Sequence, residues 1–175
     1  KGSKAERALC KWWESWSGLE FSRVPASGGL RWGNTSNITG DIIISDKNER
    51  ASRRFPFSIE SKAYKDIRFE HLILGNKKVK IWEFWEQAKA DGIRGNKIPI
   101  LFMRYNNMKA STWFVIIPYA IYKLWKLKLG HHKLPFAHLE VEGEKVVLMN
   151  SSDLITADYK EFIKSVKTYI RNGKN

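Results

Sequence analysis

The chain of 175 residues has the length of one ordinary domain, and its 43% hydrophobic residues suffice for a packed core. Lys and Arg outnumber Asp and Glu by 31 to 18, and the net charge of +13 favours a polyanionic partner such as nucleic acid. No apolar run approaches the roughly 20 residues of a bilayer span, and the lone Cys10 excludes an internal disulfide. We therefore expect a cytoplasmic protein that does not enter a membrane.

The first third of the chain predicts one helix followed by strands. Apolar residues at three- and four-residue steps from Ala5 to Trp16 place a hydrophobic stripe on one face of a helix. Turn-forming residues and short apolar runs then alternate. In chain order, the pattern predicts a helix ending near Gly18, a strand over 19–24 closed by Pro25, a loop over 26–39, a buried strand over 40–44, a charged hairpin-like connection over 46–54 and a strand over 57–62.

The rest of the chain continues to alternate between helical and strand-like patterns. The predicted elements are a helix from Val79 to Gly92, strands over 98–104 and 112–117, a short helix over 119–128, a strand over 145–149 and an amphipathic helix over 159–170. No linker is long enough to separate two domains. The order therefore predicts an α/β fold in which helices flank a mixed central β-sheet, as a single domain over residues 1–175.

The residues best suited to chemistry lie between Gly40 and Lys62. Side chains alternate in a strand, so Glu60 and Lys62 point to the same face, and Asp41 at the head of a neighbouring apolar strand can lie opposite Glu60. Two carboxylates are costly to bury without a compensating cation. Mg²⁺ fits, because it takes carboxylate oxygens and keeps waters for substrate phosphates. A nearby Lys can then orient or deprotonate the attacking water.

An acid-x-Lys triplet on a strand is also common as an exposed ion pair. The chain contains an internal comparison, because Asp158-Tyr159-Lys160 has the same spacing at the start of a predicted helix, where positions two apart diverge. Only the triplet of Glu60 follows a Gly-Asp-apolar strand. That preceding strand favours the catalytic interpretation for Glu60 and Lys62.

The order of these features resembles the PD-(D/E)xK nuclease superfamily, which has a restriction-endonuclease-like fold. Within it, the sequence is most similar to archaeal-type Holliday-junction resolvases, some of which are carried by phages. The resemblance covers about residues 4–104 and depends on five features in order: Glu6 on the first helix, the loop Pro25-Ala26-Ser27-Gly28-Gly29, Asp41 after Gly40, Glu60-Ser61-Lys62, and Gln87 on the next helix. Gly40 stands where the family usually has Pro.

The resemblance implies a role for each matching residue. Asp41, Glu60 and the backbone carbonyl of Ser61 would hold Mg²⁺, for which Mn²⁺ can substitute, and Lys62 would act on the water. Glu6 would complete this metal site or a second one. Alternatively, Ser3 and Glu6 form a capping box at the start of the helix.

Ser27 and Gln87 also match the family, and for each of them a purely structural role is an alternative to a functional one. By the resemblance, Ser27 would contact the phosphate near the scissile bond, and it is otherwise a turn residue before Gly28. Gln87 would belong to the active site, and it is otherwise an exposed helix residue.

Other residues are candidates for DNA contact. Trp32, beside Arg31 in a polar loop, can stack on an unpaired base. The histidines and Cys10 lack the spacing of a zinc site. The basic residues that can contact phosphates, or can simply be solvated, are Arg31, Arg53, Arg54, Lys65, Arg68, Lys77, Lys78, Lys80, Lys123, Lys126, Lys128 and Lys133.

These inferences predict a Mg²⁺-dependent endonuclease that cuts DNA at four-way junctions as a homodimer. Segment 99–130 has more apolar and aromatic residues than one core needs, so we predict that part of this segment forms the dimer interface. These residues include Trp113, Phe114, Tyr119, Tyr122 and Trp125. One alternative is a restriction-type or repair endonuclease of the same fold. An alternative of another class is a basic DNA-binding protein in which the acidic residues are structural.

Overall fold

A computed structural model of the protein describes residues 2–24, 38–45, 51, 54–65, 67–74, 79–109, 111–127, 135–141 and 143–173. The helices are α1 (Gly2–Ser17), α2 (Glu70–Ile73), α3 (Lys80–Arg94), α4 (Tyr119–Lys126), α5 (Ser151–Leu154) and α6 (Tyr159–Arg171). The strands are β1 (Phe21–Arg23), β2 (Ile42–Ile44), β3 (Phe57–Tyr64), β4 (Ile98–Tyr105), β5 (Phe114–Pro118), β6 (Phe136–Val141) and β7 (Glu144–Asn150).

Five strands form a central sheet in the order β3-β4-β5-β7-β6. β3 and β4 are parallel and are connected through α3, whereas the other neighbours are antiparallel. β1 and β2 form a separate antiparallel pair beside β3. The predicted α/β fold with a mixed sheet and flanking helices is confirmed.

The pairing of the strands that carry Asp41 and Glu60 differs from the prediction. Gly40 and Ile59 form an isolated parallel bridge, whereas a hairpin would require antiparallel neighbours. The predicted hairpin-like connection is therefore wrong. β2 instead has β1 as its antiparallel neighbour. This pairing joins segments that are far apart in the sequence, so local sequence patterns do not reveal it.

Hydrophobic layers cover both faces of the sheet, which is why β4 is an almost continuous apolar run. Ile100 and Phe102 of β4 point into the layer formed with α1, α4 and α6. Leu101 and Met103 point into the opposite layer, which includes residues of α3. The strand is thereby buried on both sides, and it holds β3 in parallel register along its length.

The aromatic residues of segment 99–130 belong largely to this core. Trp113, Tyr122 and Trp125 are buried, and Phe114 and Tyr119 are partly buried against the two layers. The premise that these side chains exceed one core is therefore wrong, because the two faces of the sheet provide two layers to fill. Strand β6 was not predicted from the sequence.

None of the helices in the described ranges combines the length and the apolar character that crossing a bilayer requires.

Candidate active site

Asp41 is attached to strand β3 through both its main chain and its side chain. Its backbone N–H donates to the carbonyl of Ile59 at 2.7 Å. Its Oδ2 accepts a hydrogen bond from the backbone N–H of Ser61 at 2.8 Å. These two bonds flank Glu60 in the sequence of β3, so the acidic residue before β2 is held beside the acidic residue within β3, as the spacing predicts.

Gly40 makes this close approach possible. Its φ is +82°, and a Cβ at this position would lie 2.3 Å from the carbonyl oxygen of Ile59. An L-residue with a side chain would meet both the strained backbone and the clash, and Pro is limited to φ near −65°. The glycine that stands in place of the more usual Pro is thus required by the local backbone of this chain.

Glu60 and Lys62 share one face of β3 and contact each other. Lys62 Nζ lies 2.5 Å from Glu60 Oε1, and the side chains are 21% and 3% exposed respectively. The Lys62 ammonium also lies 5.8 Å from the centre of the Phe84 ring on α3, within range of a cation–π interaction. The predicted common orientation of the two side chains is confirmed, but Glu60 is buried rather than at a solvated edge.

Burial destabilises the charged form of both carboxyl groups, and the charge of Asp41 adds to this effect at Glu60. Burial, followed by the negative charge of Asp41, raises the pKa of Glu60 to about 7, and Lys62 only partly opposes this effect. Burial likewise raises the pKa of Asp41, although the Ser61 hydrogen bond and Lys62 act in the other direction. Two carboxylates that are costly to ionise in this environment favour binding of a divalent cation, whose charge is higher than that of the single Lys62 ammonium.

The donor set fits Mg²⁺ or Mn²⁺ in its chemistry. Both ions prefer oxygen ligands, and Mg²⁺ in particular is commonly held by one or two carboxylates, with waters and substrate phosphates in the other positions. Within the described ranges, no three His, Cys, Asp or Glu side chains converge closely enough to hold an ion by themselves. To hold an ion, Asp41 and Glu60 would therefore need further oxygen ligands from the main chain, from water or from phosphate. The carbonyl of Ser61, the residue after Glu60, is the main-chain candidate.

Glu6 lies on α1 and is engaged by a residue that the sequence did not suggest. Arg23 Nε of β1 lies 2.5 Å from Glu6 Oε2. The negative charge of Glu6 nevertheless contributes to raising the pKa of Asp41, which places Glu6 within electrostatic range of the site. Ser3 lies inside α1 rather than before it, so the capping-box alternative lacks the N-cap residue that it needs.

Asp91 on α3 is a neighbour of the site that sequence reasoning missed. Its negative charge contributes to raising the pKa of both Asp41 and Glu60, and its Oδ1 pairs with Arg94 Nη2 at 2.9 Å. Helical spacing could have indicated Asp91 as a site residue. Phe84, Gln87 and Asp91 follow one another at three- and four-residue steps, which places Phe84 and Asp91 on the same side of α3 as the predicted Gln87. Gln87 itself is exposed, one turn before Asp91.

The predicted DNA-contact residues are only partly described. Ser27, Arg31, Trp32 and Arg53 lie outside the described residues, as do Lys128 and Lys133. Lys77 and Lys78 lie outside them too. The predicted residues that are described are all exposed: Arg54, Lys65 and Arg68 close to β3 in the sequence, Lys80 at the start of α3, and Lys123 and Lys126 on α4.

The comparison triplet of the sequence has a structural role. Asp158 is the N-cap of α6, where its Oδ1 accepts a hydrogen bond from the backbone N–H of Glu161 at 2.9 Å. Lys160 is exposed on the first turn of the same helix. The Asp158-x-Lys160 spacing thus arises from helix capping, in contrast to Glu60 and Lys62.

A mixed α/β sheet with an Asp beside a Glu-x-Lys strand defines the PD-(D/E)xK class of nucleases. The chain belongs to one family of this class, described as "Phage putative PDDEXK endonuclease", whose model matches residues 1–172. It is also similar to Protein D14 of Escherichia phage T5, with 24% identity over 117 residues that cover 67% of this chain and 68% of that protein. No solved structure matches the chain.

Proposed function

We propose that this protein is a Mg²⁺-dependent endonuclease that hydrolyses DNA phosphodiester bonds, with four-way junctions as its preferred substrate. The observation that carries the catalytic part is the pair of the partly buried Asp41 and the buried Glu60, held together by the hydrogen bonds of Asp41 to β3, with the Lys62 ammonium on Glu60. Carboxyl groups with raised pKa values beside a cation are typical of functional sites. Membership of a phage endonuclease family supports the same chemistry.

Each residue has a distinct task in this proposal. Asp41, Glu60 and the Ser61 carbonyl hold the ion, which when bound polarises the phosphate and makes water a stronger nucleophile. Before the ion arrives, Lys62 compensates the buried charge of Glu60. When Glu60 binds the ion instead of Lys62, the Lys62 ammonium can hold the attacking water and the phosphate oxygen. The nearby Phe84 ring keeps the ammonium in place.

The preference for branched DNA depends on the resemblance to junction resolvases and on symmetry. A four-way junction has two-fold symmetry, and a two-fold dimer supplies two active sites at a fixed separation. Trp113, Tyr122 and Trp125 are occupied in the core, so the dimer cannot depend on them. We propose instead that the outer edge of β6, which ends the described sheet, pairs with a second copy.

Two labelled substrates of equal length test this proposal: a four-way junction and the matching linear duplex, each incubated with Mg²⁺, with Mn²⁺ and with EDTA. We expect paired cuts in the junction with either ion, weaker cutting of the duplex, and no cutting in EDTA. Binding should fall steeply with salt, and light scattering at micromolar concentration should give a dimer. A monomer would contradict the dimer proposal.

The alternatives give different results in the same experiment. Equal cutting of junction and duplex would identify a restriction-type or repair endonuclease of the same fold. A non-catalytic DNA-binding protein would leave both substrates intact with every divalent ion.

A further inference from the structure

A cavity of about 740 Å³ lies at the end of the sheet where β4 begins and β5 ends. It extends from the end of α3 to the first turn of α4 and the turn between β6 and β7. Asp41, Glu60 and Lys62 do not line it. Its volume is within the usual range of sites for small ligands, roughly 300–1,000 Å³.

The lining of this cavity carries a positive charge that carboxylates compensate only in part. Four lysines line it, of which Lys89 is paired with Glu86 and Glu144 and Lys145 lies 3.5 Å from Glu140. In the described part of the chain, neither Lys97 nor Lys123 has a carboxylate partner. Glu144 does not cancel them, because it is already engaged by Lys89 and by the Trp85 indole N–H.

Lys97 is the more unusual of the two unpaired lysines. It follows α3, and its backbone N–H donates to the Gly92 carbonyl at 2.8 Å, so its main chain is fixed. Its side chain is largely desolvated, and this burial lowers the pKa of the ammonium. A half-buried cation without a counter-ion is unfavourable, and an anion in the cavity would remove this cost.

The walls add flat and apolar surfaces to this charge. Tyr119 and Tyr169 are partly buried residues of the lining, and Pro99 and Pro118 form part of the remaining wall. Aromatic rings are surfaces on which nucleobases stack, and the Tyr119 ring already carries one stacked partner, His138, with the ring centroids 4.3 Å apart. The cavity thus combines two ammonium groups with places for a planar ring.

We propose that this cavity binds a nucleotide through its terminal phosphate, with the phosphate on Lys97 and Lys123 and the base against Tyr119 or Tyr169. A phosphomonoester carries a charge of about −1.5 to −2 at pH 7, which matches two unpaired lysines better than the single charge of an internal phosphodiester. Two sources share this chemistry: a free mononucleotide, and the phosphorylated end of a DNA strand. The site is separate from the proposed catalytic centre.

Calorimetric titrations in EDTA test the site without any contribution from cleavage. The probes are dAMP, deoxyadenosine, and one short single-stranded oligonucleotide with either a 5′-phosphate or a 5′-hydroxyl. We expect dAMP to bind and deoxyadenosine to bind much more weakly. Lys97→Gln and Lys123→Gln should each weaken dAMP binding about tenfold or more, since each removes a charged hydrogen bond. Lys167→Gln, which removes an exposed charge outside the cavity from the helix that carries Tyr169, should leave it unchanged.

The oligonucleotide pair distinguishes the two sources. A Lys97-dependent preference for the 5′-phosphorylated strand identifies a strand end, whereas binding of dAMP without that preference identifies a free mononucleotide. The site does not exist as proposed if dAMP binds no better than deoxyadenosine, or if both Gln variants bind dAMP as the wild type does. Lys123 is exposed, so its variant tests the proposal even if Lys97→Gln alters folding. These results are independent of whether the protein cuts DNA.

Discussion

At the scale of single residues, the pair of Glu60 and Lys62 would serve both the metal-free and the metal-bound state of the proposed function. Without a metal, the ammonium at 2.5 Å makes a nearly fully buried carboxylate tolerable. In the proposed function, a bound metal would release the same ammonium from Glu60 and make it available to the substrate. Asp41 remains in place in both states, because its carboxylate is anchored by the Ser61 main chain rather than by Lys62.

Substitutions that keep the shape but remove the charge test these roles. Asp41→Asn and Glu60→Gln should each lower cleavage by at least about a hundredfold, because the site loses a ligand that stabilises charge in the transition state. DNA binding in EDTA should be retained or strengthened, since repulsion toward phosphate decreases. Lys62→Ala should also be inactive while it still binds the metal. Single-turnover cleavage and filter binding measure the two effects.

The matched control is Lys160→Ala, from the triplet whose Asp158 caps α6. It should cut at the wild-type rate. Wild-type cleavage by Asp41→Asn would show that the active site lies elsewhere.

At the scale of elements, the contact between the start of β2 and the middle of β3 positions the acidic pair. This contact is a single parallel bridge with Gly40 at its centre, not an extended ladder. A short contact of this kind has little redundancy. The geometry of the site therefore depends on the backbone conformation of Gly40 together with the two hydrogen bonds from Asp41 to β3.

Gly40→Ala should stop cleavage and lower the free energy of unfolding by roughly 1–3 kcal/mol, because the new Cβ would clash with Ile59 in a left-handed backbone conformation. Gly18→Ala is the matched control: its φ is +72°, but a Cβ there meets nothing within 4 Å. It carries the conformational cost of about 1 kcal/mol without the clash, so it should keep its activity. Urea unfolding and junction cleavage measure both variants. Equal activity of the two alanine variants would contradict the positioning role of Gly40.

At the scale of the whole molecule, the buried Glu60 couples the site to the stability of the fold. Glu60 lies in β3, between the two hydrophobic layers. Its charge must be accommodated inside the folded protein but is fully hydrated in the unfolded chain. Folding therefore favours the protonated form of Glu60.

The metal-free protein should lose stability as pH rises through the range between the two pKa values of Glu60. The unfolded group has the ordinary pKa of 4.5 and the folded one a pKa of about 7. Between these values the folded state holds a proton that the unfolded state has released. The free energy of unfolding then falls by roughly 2–3 kcal/mol as pH rises, with no further loss above about pH 7.

Urea unfolding in EDTA at pH 5 and pH 8 measures this effect as the difference between wild type and Glu60→Gln, which lacks the titrating group. Glu83→Gln, at an exposed ion pair with Lys80, is the control and should follow the wild type. Mg²⁺ should restore stability at pH 8 more than at pH 5. An identical pH dependence in wild type and Glu60→Gln would contradict the burial of a titrating Glu60.

Periodicity within single elements determined much of the architecture. Helical spacing located α1, α3 and α6, and the alternation of a strand placed Glu60 and Lys62 on one face. These inferences hold because helix and strand geometry is set by the backbone of a few consecutive residues. The nuclease class was predicted from the order of five features, which include the Gly-Asp strand and the Glu-x-Lys strand.

Tertiary structure alone decided which elements meet. The parallel bridge at Gly40, the pairing of Arg23 with Glu6, the nearby charge of Asp91 and the cavity beside Lys97 all join residues from separate elements. The aromatic residues of segment 99–130 were assigned to an interface because the sequence does not reveal that both faces of the sheet are covered. The physical reason is common to all of these cases: pairing, burial and charge compensation depend on contacts between distant segments, and local periodicity carries no information about them.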